Sequence, residues 1–175
     1  NINKDYGTNA DMETLLKEAH KRGIRIILDY VINHTSNRHP YFVGAMKDKN
    51  HPKRNWFVWR KDLPSGWSQP WAPGGPSTAV WHKTDTGYYY GVFYYGMPDW
   101  NWTNPAVRKE LKTISSFWLN KGVDGFRLDA IRYLVEEGGN LGQKDTSGTH
   151  GAMAELYAHA KKLKKDVLFV GEVWA

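Results

Sequence analysis

The sequence predicts an α/β fold in which parallel strands alternate with amphipathic helices. One unit occurs three times: an amphipathic helix, a short turn, an apolar strand and a carboxylate that follows the strand. The three carboxylates belong to Asp29, Asp129 and Glu172. Alternation of helix and strand favours parallel strands joined by right-handed crossovers. Because parallel strands end at the same edge of a sheet, we expect these carboxylates to converge at the edge where α/β proteins place their active sites.

The first unit begins with a helical pattern over residues 9–22, which Gly23 ends. The next run, 24–29, is nearly continuous in apolar residues, as expected of a parallel strand that is buried on both faces. This predicted strand ends in Asp29, and two further polar residues follow it: Asn33 and His34.

The regular pattern breaks down over 35–102, where prolines recur and aromatic residues are frequent. A run at 88–95 predicts a small irregular sheet. A connection of this length is usually functional or a subdomain. Seven of the nine tryptophans lie between Trp56 and Trp102. We do not expect a Gly- and Pro-rich segment to bury all of them, and aromatic faces on loops suit sugar rings.

The second and third units complete the chain. Asn104 caps the second helix and Pro105 opens it, and its strand ends at Asp129. A Gly-rich loop over 133–148 precedes a helix at 149–164 and a strand at 167–170. Three strands cannot close a barrel, so we expect the chain to be part of a longer protein.

Composition narrows the classes of partner. The chain has 175 residues, a formal net charge of +6 and no cysteine, so disulfides and thiolate metal sites are excluded. Lysines cluster at 161–165, at the end of a predicted helix, where cations are favourable. We interpret this cluster as a solvated face and expect no nucleic-acid partner. No apolar run reaches transmembrane length. Localisation stays open.

The stretch 122–132 carries the most specific chemistry. Phe126 and Leu128 suit the buried side of a short strand, and Arg127 and Asp129 alternate with them. Burying charge at the end of a strand is costly, so we expect these charged residues to have a structural or a catalytic role. A strand-end salt bridge is one interpretation and a catalytic carboxylate is the other.

Three converging carboxylates favour acid–base chemistry. Crowded carboxylates raise one another's pKa, and a pair with separated pKa values provides one anion and one proton donor. We expect Arg127 to keep Asp129 ionised, whereas the apolar surroundings of Glu172 favour its protonated form. Glycoside hydrolysis uses such a pair. The rival interpretation is a metal hydrolase, although the chain lacks the usual helical His and Glu spacings. Its ligands would be Asp29, His34, His39 and Asp129.

Four motifs together resemble the signatures of the α-amylase family, glycoside hydrolase family thirteen. In chain order they are Asp29-Tyr30-Val31-Ile32-Asn33-His34, Met97-Pro98-Asp99-Trp100-Asn101, Gly125-Phe126-Arg127-Leu128-Asp129 and Gly171-Glu172-Val173-Trp174. The resemblance implies part of a (β/α)8 TIM barrel, about strands 3 to 5 with helices 2 to 4, with a long inserted subdomain after strand 3. The expected divisions are barrel residues 1–34, an inserted region at 35–102, and barrel residues 103–175.

The resemblance also implies roles. Asp129 would be the nucleophile and Glu172 the general acid/base of a retaining enzyme that acts on α-glucans such as starch and maltooligosaccharides. Arg127 would orient Asp129, and Asp29 and His34 would contact the sugar. A further acidic residue of the family lies beyond this chain, so we expect the 175-residue piece alone to be inactive. No organic cofactor is implied.

Some positions depart from the family pattern. Many α-amylases have Lys-His where this chain has Arg132 and Tyr133. Asn33 matches a calcium ligand of the family, so calcium is the implied ion. Trp100 is typical of a group intermediate between α-amylases and oligo-1,6-glucosidases or neopullulanases. Action on α-1,4 bonds, action on α-1,6 bonds and transglycosylation therefore stay open, as does a non-catalytic barrel that binds a sugar or a partner.

Overall fold

A computed structural model describes residues 2–72 and 79–173. Six elements, three helices and three strands, form the α/β part, and its parallel strands pair in the order β1-β5-β6. A second sheet, antiparallel and ordered β2-β4-β3, lies within 35–102. The elements are α1 (Asn9–Lys21), β1 (Ile27–Val31), α2 (Pro40–Lys47), β2 (Trp59–Arg60), β3 (Trp81–Thr84), β4 (Gly87–Tyr90), α3 (Pro105–Asn120), β5 (Gly125–Asp129), α4 (Ser147–Leu163) and β6 (Leu168–Gly171).

The helices begin where local capping chemistry directs them. Thr8 and Asp11 form a reciprocal capping box at the start of α1. Asn104 accepts a hydrogen bond from the Ala106 amide, and proline occupies the first turn of α3. Thr146 caps α4, so this helix begins two residues earlier than the sequence predicts. The three predicted helix–strand units are therefore all present, with shifts of a few residues at their ends.

The prediction that all three strands are buried on both faces is wrong for the two outer strands. Among the three parallel strands that the structure describes, β5 is the one with a strand on each side, and its residues Phe126 and Leu128 are fully buried. Alternate residues of β1 and β6 are exposed, including Val31 and Val170. Each outer strand has a hydrogen-bonded neighbour on one side alone within the described residues. A run of apolar residues therefore indicates a fully buried strand only where strands flank it on both sides.

The segment 35–102 contains more regular structure than its sequence pattern predicts. The sequence does not predict α2, although His39 caps this helix and Pro40 occupies its first position. The predicted run at 88–95 is a strand only over β4, which pairs with β2 and β3. One buried cluster joins aromatic residues of this segment to the helices and strands of the α/β part.

The tryptophans of the segment mostly form the core. Four of them are buried, and Trp71 is 47% exposed. The expectation that the segment does not bury all of its tryptophans is therefore confirmed, although most of the cluster belongs to the core. Neighbouring rings bury these side chains by packing against one another in edge-to-face and tilted arrangements. The buried tryptophans are Trp56, Trp81, Trp100 and Trp102.

Hydrogen bonds fasten the segment to the α/β part. The Trp102 indole donates to the Ile32 carbonyl at 2.8 Å, and the Trp100 amide donates to the Asn33 carbonyl at 2.8 Å. Asp99 is fully buried at this junction. The segment is therefore held directly beside the residues that follow β1. None of the helices in the described ranges is both long and apolar enough to cross a membrane.

Candidate active site

The guanidinium of Arg127 joins the three predicted carboxylates. Its Nη1 donates to Asp29 Oδ1 and to Asp129 Oδ1, each at 2.8 Å. Its Nη2 lies 2.6 Å from Glu172 Oε1. A planar guanidinium with five fixed donors holds several carboxylates in a defined arrangement, as a lysine cannot. The predicted convergence of Asp29, Asp129 and Glu172 on one edge of the sheet is therefore present in the structure.

The register of the parallel strands produces this convergence. Asp29 on β1 lies opposite Arg127 on β5. Glu172 follows β6 directly, and its amide donates to the Leu128 carbonyl at 2.9 Å. Because side chains alternate along a strand, Arg127 and Asp129 leave the buried side that Phe126 and Leu128 occupy. Strand geometry therefore positions the polar groups before any ligand is considered.

The backbone turns sharply immediately after Asp129. Ala130 has φ 52° and ψ 33°, a left-handed conformation that costs a residue other than glycine about 1 kcal/mol or more. A Cβ atom on Gly171 would lie 2.3 Å from the Ile131 side chain. A larger residue beside Glu172 would therefore have to displace the end of the Ile131 side chain, because the turn after β5 approaches Gly171 closely.

Burial and proximity set the proton affinity of the site. Burial raises the pKa of Asp129, a hydrogen bond with Glu172 raises it further, and Arg127 lowers it in part. The expectation that Arg127 dominates and keeps Asp129 readily ionised is therefore too simple. A hydrogen bond between two carboxyl groups requires that they share a proton. The pKa of Arg127 is raised, first by its hydrogen bond to Asp29 and then by its other carboxylate neighbours.

Asn33 and His34 lie beside this group, on the segment that follows β1. The His34 ring nitrogen Nδ1 is 3.0 Å from Asn33 Oδ1, and the ring packs edge-on against Phe93 at 5.3 Å between centroids. Burial lowers the pKa of His34 to about 4. His34 is therefore neutral near pH 7 and has one N–H donor and one acceptor.

A cavity of about 430 Å³ opens between the carboxylates and the 35–102 segment. Its size is typical of a site for a small molecule, and polar groups converge at one end of it. Trp71 and Phe93 stack with a centroid distance of 5.2 Å and form part of an aromatic wall. The lining residues are His34, Trp71, Phe93, Met97, Asp129, Ala130, Arg132, Tyr133 and Glu172.

Sequence patterns did not single out the aromatic wall. Trp71 and Phe93 belong to the aromatic segment, yet nothing in their spacing distinguishes them from the core tryptophans. Exposure makes the distinction, because Trp71 keeps 47% of its surface accessible. Arg132 also lines the cavity and forms an ion pair with Asp145. The two carboxylate oxygens of Asp145 lie 2.9 and 3.1 Å from Arg132 Nε. Of the fourth motif, Trp174 lies outside the described residues.

The surroundings of Asn33 test the predicted calcium site. Its Nδ2 donates to the Tyr133 carbonyl at 2.7 Å and lies 3.4 Å from Asp99 Oδ2. Calcium requires oxygen ligands, whereas Asn33 directs its amide nitrogen at these two oxygens. The arrangement therefore does not fit a calcium ion at Asn33.

The rival metal-hydrolase interpretation has no support in the geometry. His39 does not join the carboxylates, because its ring accepts a hydrogen bond from the Tyr41 amide and caps α2. Throughout residues 2–72 and 79–173, no group of three or more His, Asp or Glu side chains has the geometry to hold a metal ion.

Comparison with known families agrees with this geometry. The family model described as alpha amylase, catalytic domain, matches residues 1–175. Alpha-amylase 3 of Dictyoglomus thermophilum is 42% identical over 173 residues, covering 99% of this chain and 31% of the relative. An oligo-1,6-glucosidase of Parageobacillus thermoglucosidasius is 42% identical over 139 residues, covering 76% of this chain and 24% of the relative.

Solved structures show the same similarity. A crystal structure of alpha-amylase from H. orenii superposes with a TM-score of 0.85 at 38% identity, covering 99% of this chain and 33% of that chain. A trehalose-6-phosphate hydrolase of Bacillus licheniformis superposes with a TM-score of 0.86 at 34% identity, with the same coverage. The chain therefore spans about a third of the length of the relatives that it matches.

Proposed function

The chain belongs to the α-amylase catalytic-domain family, and its helices and parallel strands form part of the family's (β/α)8 barrel. From this premise we propose that the complete protein containing these residues is a retaining α-glycoside hydrolase of α-glucans. The single observation that supports the proposal most strongly is the Arg127 guanidinium, which holds Asp129 and Glu172 together. Retaining enzymes hold the two carboxyls about 5–5.5 Å apart, and contact of both groups with one guanidinium suits so short a separation.

In the first step of the proposed reaction, an Asp129 carboxylate oxygen attacks the anomeric carbon of the bound sugar. The bond from this carbon to the glycosidic oxygen breaks as Glu172 donates its proton to that oxygen. The products of the step are a covalent glycosyl ester on Asp129, the free aglycone alcohol and an ionised Glu172. The chemistry requires Glu172 to hold a proton while ionised Asp129 attacks, and Arg127 lowers the pKa of Asp129 against the rise that burial causes.

In the second step, the Glu172 carboxylate removes a proton from water, and the water oxygen attacks the anomeric carbon. The ester bond to Asp129 breaks and the original configuration is restored, because each displacement inverts the carbon once. An acceptor sugar hydroxyl in place of water gives transglycosylation by the same balance of bonds. Arg127 keeps both carboxyls in place throughout.

The remaining predicted residues complete the site. Asp29 accepts from Arg127 and is 61% exposed, so it has free acceptor capacity for sugar hydroxyls. His34 lines the same cavity as a neutral donor. In the proposed organisation, residues 35–102 form an inserted domain that supplies the aromatic wall, and residues 1–34 and 103–175 supply the barrel edge. No step of the reaction is assigned to calcium, because Asn33 directs its amide nitrogen at the neighbouring oxygens.

The α-1,4 and α-1,6 specificities are distinguished by substrate. The complete protein, purified with and without the D129N substitution, is incubated with maltotriose and with isomaltotriose. Glucose release that depends on Asp129 supports the proposal, and the faster substrate identifies the preferred linkage. Tight binding of either sugar without Asp129-dependent release would instead favour the non-catalytic barrel.

A further inference from the structure

A second cavity, of about 250 Å³, lies between the inserted segment and the loop that follows β5. It shares none of its lining residues with the catalytic cavity. Its volume is slightly below the ~300 Å³ at which typical small-molecule sites begin, so it has room for one small ring. The residues that line it are Asn55, Phe57, Val58, Trp59, Arg60, Trp67, Asn101, Thr103 and Glu136.

Two of the lining side chains carry buried polar atoms that lack a hydrogen-bond partner. These atoms are Trp59 Nε1, a donor, and Glu136 Oε1, an acceptor. An unpaired buried polar group costs about 1–3 kcal/mol, so each such atom calls for an explanation. One hydroxyl group satisfies both kinds of atom, because its oxygen accepts from an indole N–H while its proton is donated to a carboxyl oxygen.

The charges around the cavity select against ionic ligands. Arg60 lines the cavity; burial raises the pKa of Glu136 to about 8, and the positive charge of Arg60 lowers it only in part. A divalent cation would meet the Arg60 guanidinium and only one carboxylate, and a phosphate would meet the Glu136 carboxyl. A neutral ligand with several hydroxyl groups avoids both conflicts.

The other lining groups suit a sugar. Trp67 contacts Trp81 and Tyr90 through edge-to-face packing, and within the described residues no aromatic ring is stacked parallel to it. The Asn55 carbonyl and the Asn101 side chain are already fixed by a 3.0 Å hydrogen bond, so this polar rim is preorganised. An indole face beside amide, carboxyl and guanidinium groups matches the apolar face and hydroxyl edge of a pyranose ring.

We propose that this cavity is a second, non-catalytic sugar site that binds one glucosyl unit of an α-glucan. The choice of a glucosyl unit rests on the proposed function, whereas the preference for a polyhydroxylated ring rests on the cavity itself. A chain bound there would be held to the protein independently of the residues that cleave it.

The test uses isothermal titration calorimetry of the complete protein with maltotriose, in a D129N background that prevents turnover. The expected result is two sites for each chain. Thr103 is exposed at the cavity, so T103W blocks it without removing a core residue, and one of the two sites is lost. E136Q, which preserves shape, weakens that same site at least ~5-fold. T113W, the same change at an exposed threonine of α3, leaves both sites intact.

Other outcomes overturn the inference. Equal maltotriose binding by D129N and D129N/T103W would mean that the cavity holds water only. Heat from calcium chloride that disappears in E136Q, without T103W-sensitive sugar binding, would make it a cation site. Turnover by the protein with Asp129 intact is measured separately. T103W-sensitive binding without turnover would therefore retain this site and refute the proposed function, and turnover without such binding would do the reverse.

Discussion

Arg127 and Asp129 lie two residues apart on β5, and the Nη1 of the arginine donates to Oδ1 of the aspartate at 2.8 Å. Nη2 of the same guanidinium contacts Glu172, the residue that follows the neighbouring strand β6. One side chain therefore fixes the relative position of the two carboxyls to which the mechanism assigns attack and proton transfer.

Substitution of Arg127 tests this positioning role. We expect R127Q to lower kcat of the complete protein about 10²–10³-fold, the range seen when one preorganised electrostatic donor is lost. Arg127 lowers the pKa of Asp129, so its removal moves the acidic limb of the kcat/KM profile to higher pH. R127K, the matched control, retains the charge and moves the limb less. A lower kcat with an unchanged pH profile would contradict an electrostatic role for Arg127.

Substitution of the two carboxyls separates their roles. We expect D129N to reduce kcat at least ~10⁴-fold with natural and activated substrates, as loss of a nucleophile does. E172Q loses proton donation, which is worth about 10²–10⁴-fold, and a substrate with an acidic leaving group restores the first step. Mass spectrometry of E172Q with such a substrate should detect a glycosyl adduct on Asp129. Equal effects of the leaving group on both variants would contradict this division of roles.

Glu136 makes stability depend on pH. Burial raises its pKa in the fold to about 8, from an ordinary value of 4.5. Between these values the folded protein retains a proton that the unfolded chain has lost, so the free energy of unfolding decreases as pH rises from 4.5 to 8. E136Q should flatten this part of the profile, measured by urea denaturation at several pH values. E13Q, at a side chain that is 58% exposed, serves as the control and should retain the slope.

Asp99 lies where the 35–102 segment meets the residues after β1, with its Oδ2 3.4 Å from Asn33 Nδ2. Its carboxyl is fully buried and accepts from the Val92 amide at 3.2 Å, and burial raises its pKa well above the ordinary range. D99A leaves that amide unpaired, so we expect the free energy of unfolding to fall by about 1–3 kcal/mol. D99N keeps an acceptor oxygen and should cost less. Equal urea midpoints for D99A and the unsubstituted protein would contradict the role of Asp99.

Calcium removal tests the orientation of the Asn33 amide. With its nitrogen directed at the Tyr133 carbonyl, Asn33 should not ligate calcium. We therefore expect the change in Tm that a chelator causes to be the same in N33A as in the unsubstituted protein. A calcium-dependent rise in Tm that N33A abolishes would show that the amide is reversed.

The sequence was most informative where local chemistry determines structure. Caps and apolar spacing located α1, α3 and α4, and the carboxylate after each apolar strand located Asp29, Asp129 and Glu172 at one edge. These features depend on residues close in sequence and on the rule that parallel strands share an edge. The four motifs added the family, which the comparisons confirm.

Features that depend on distant packing were not predictable from the pattern. The exposure of Val31 and Val170 depends on which strands flank β1 and β6. The distinction between core tryptophans and Trp71 depends on ring packing across the 35–102 segment. The net rise in the pKa of Asp129 depends on the balance between burial, Glu172 and Arg127, which a sequence does not quantify.

The most direct test of the central claim is proton NMR of the complete protein as it digests maltotriose, following the anomeric signal of the first product. The account predicts that the α-anomer appears first and mutarotates later, because two displacements at Asp129 retain configuration. A β-anomer as the first product would mean a single displacement by water, and it would contradict the role of Asp129 as nucleophile.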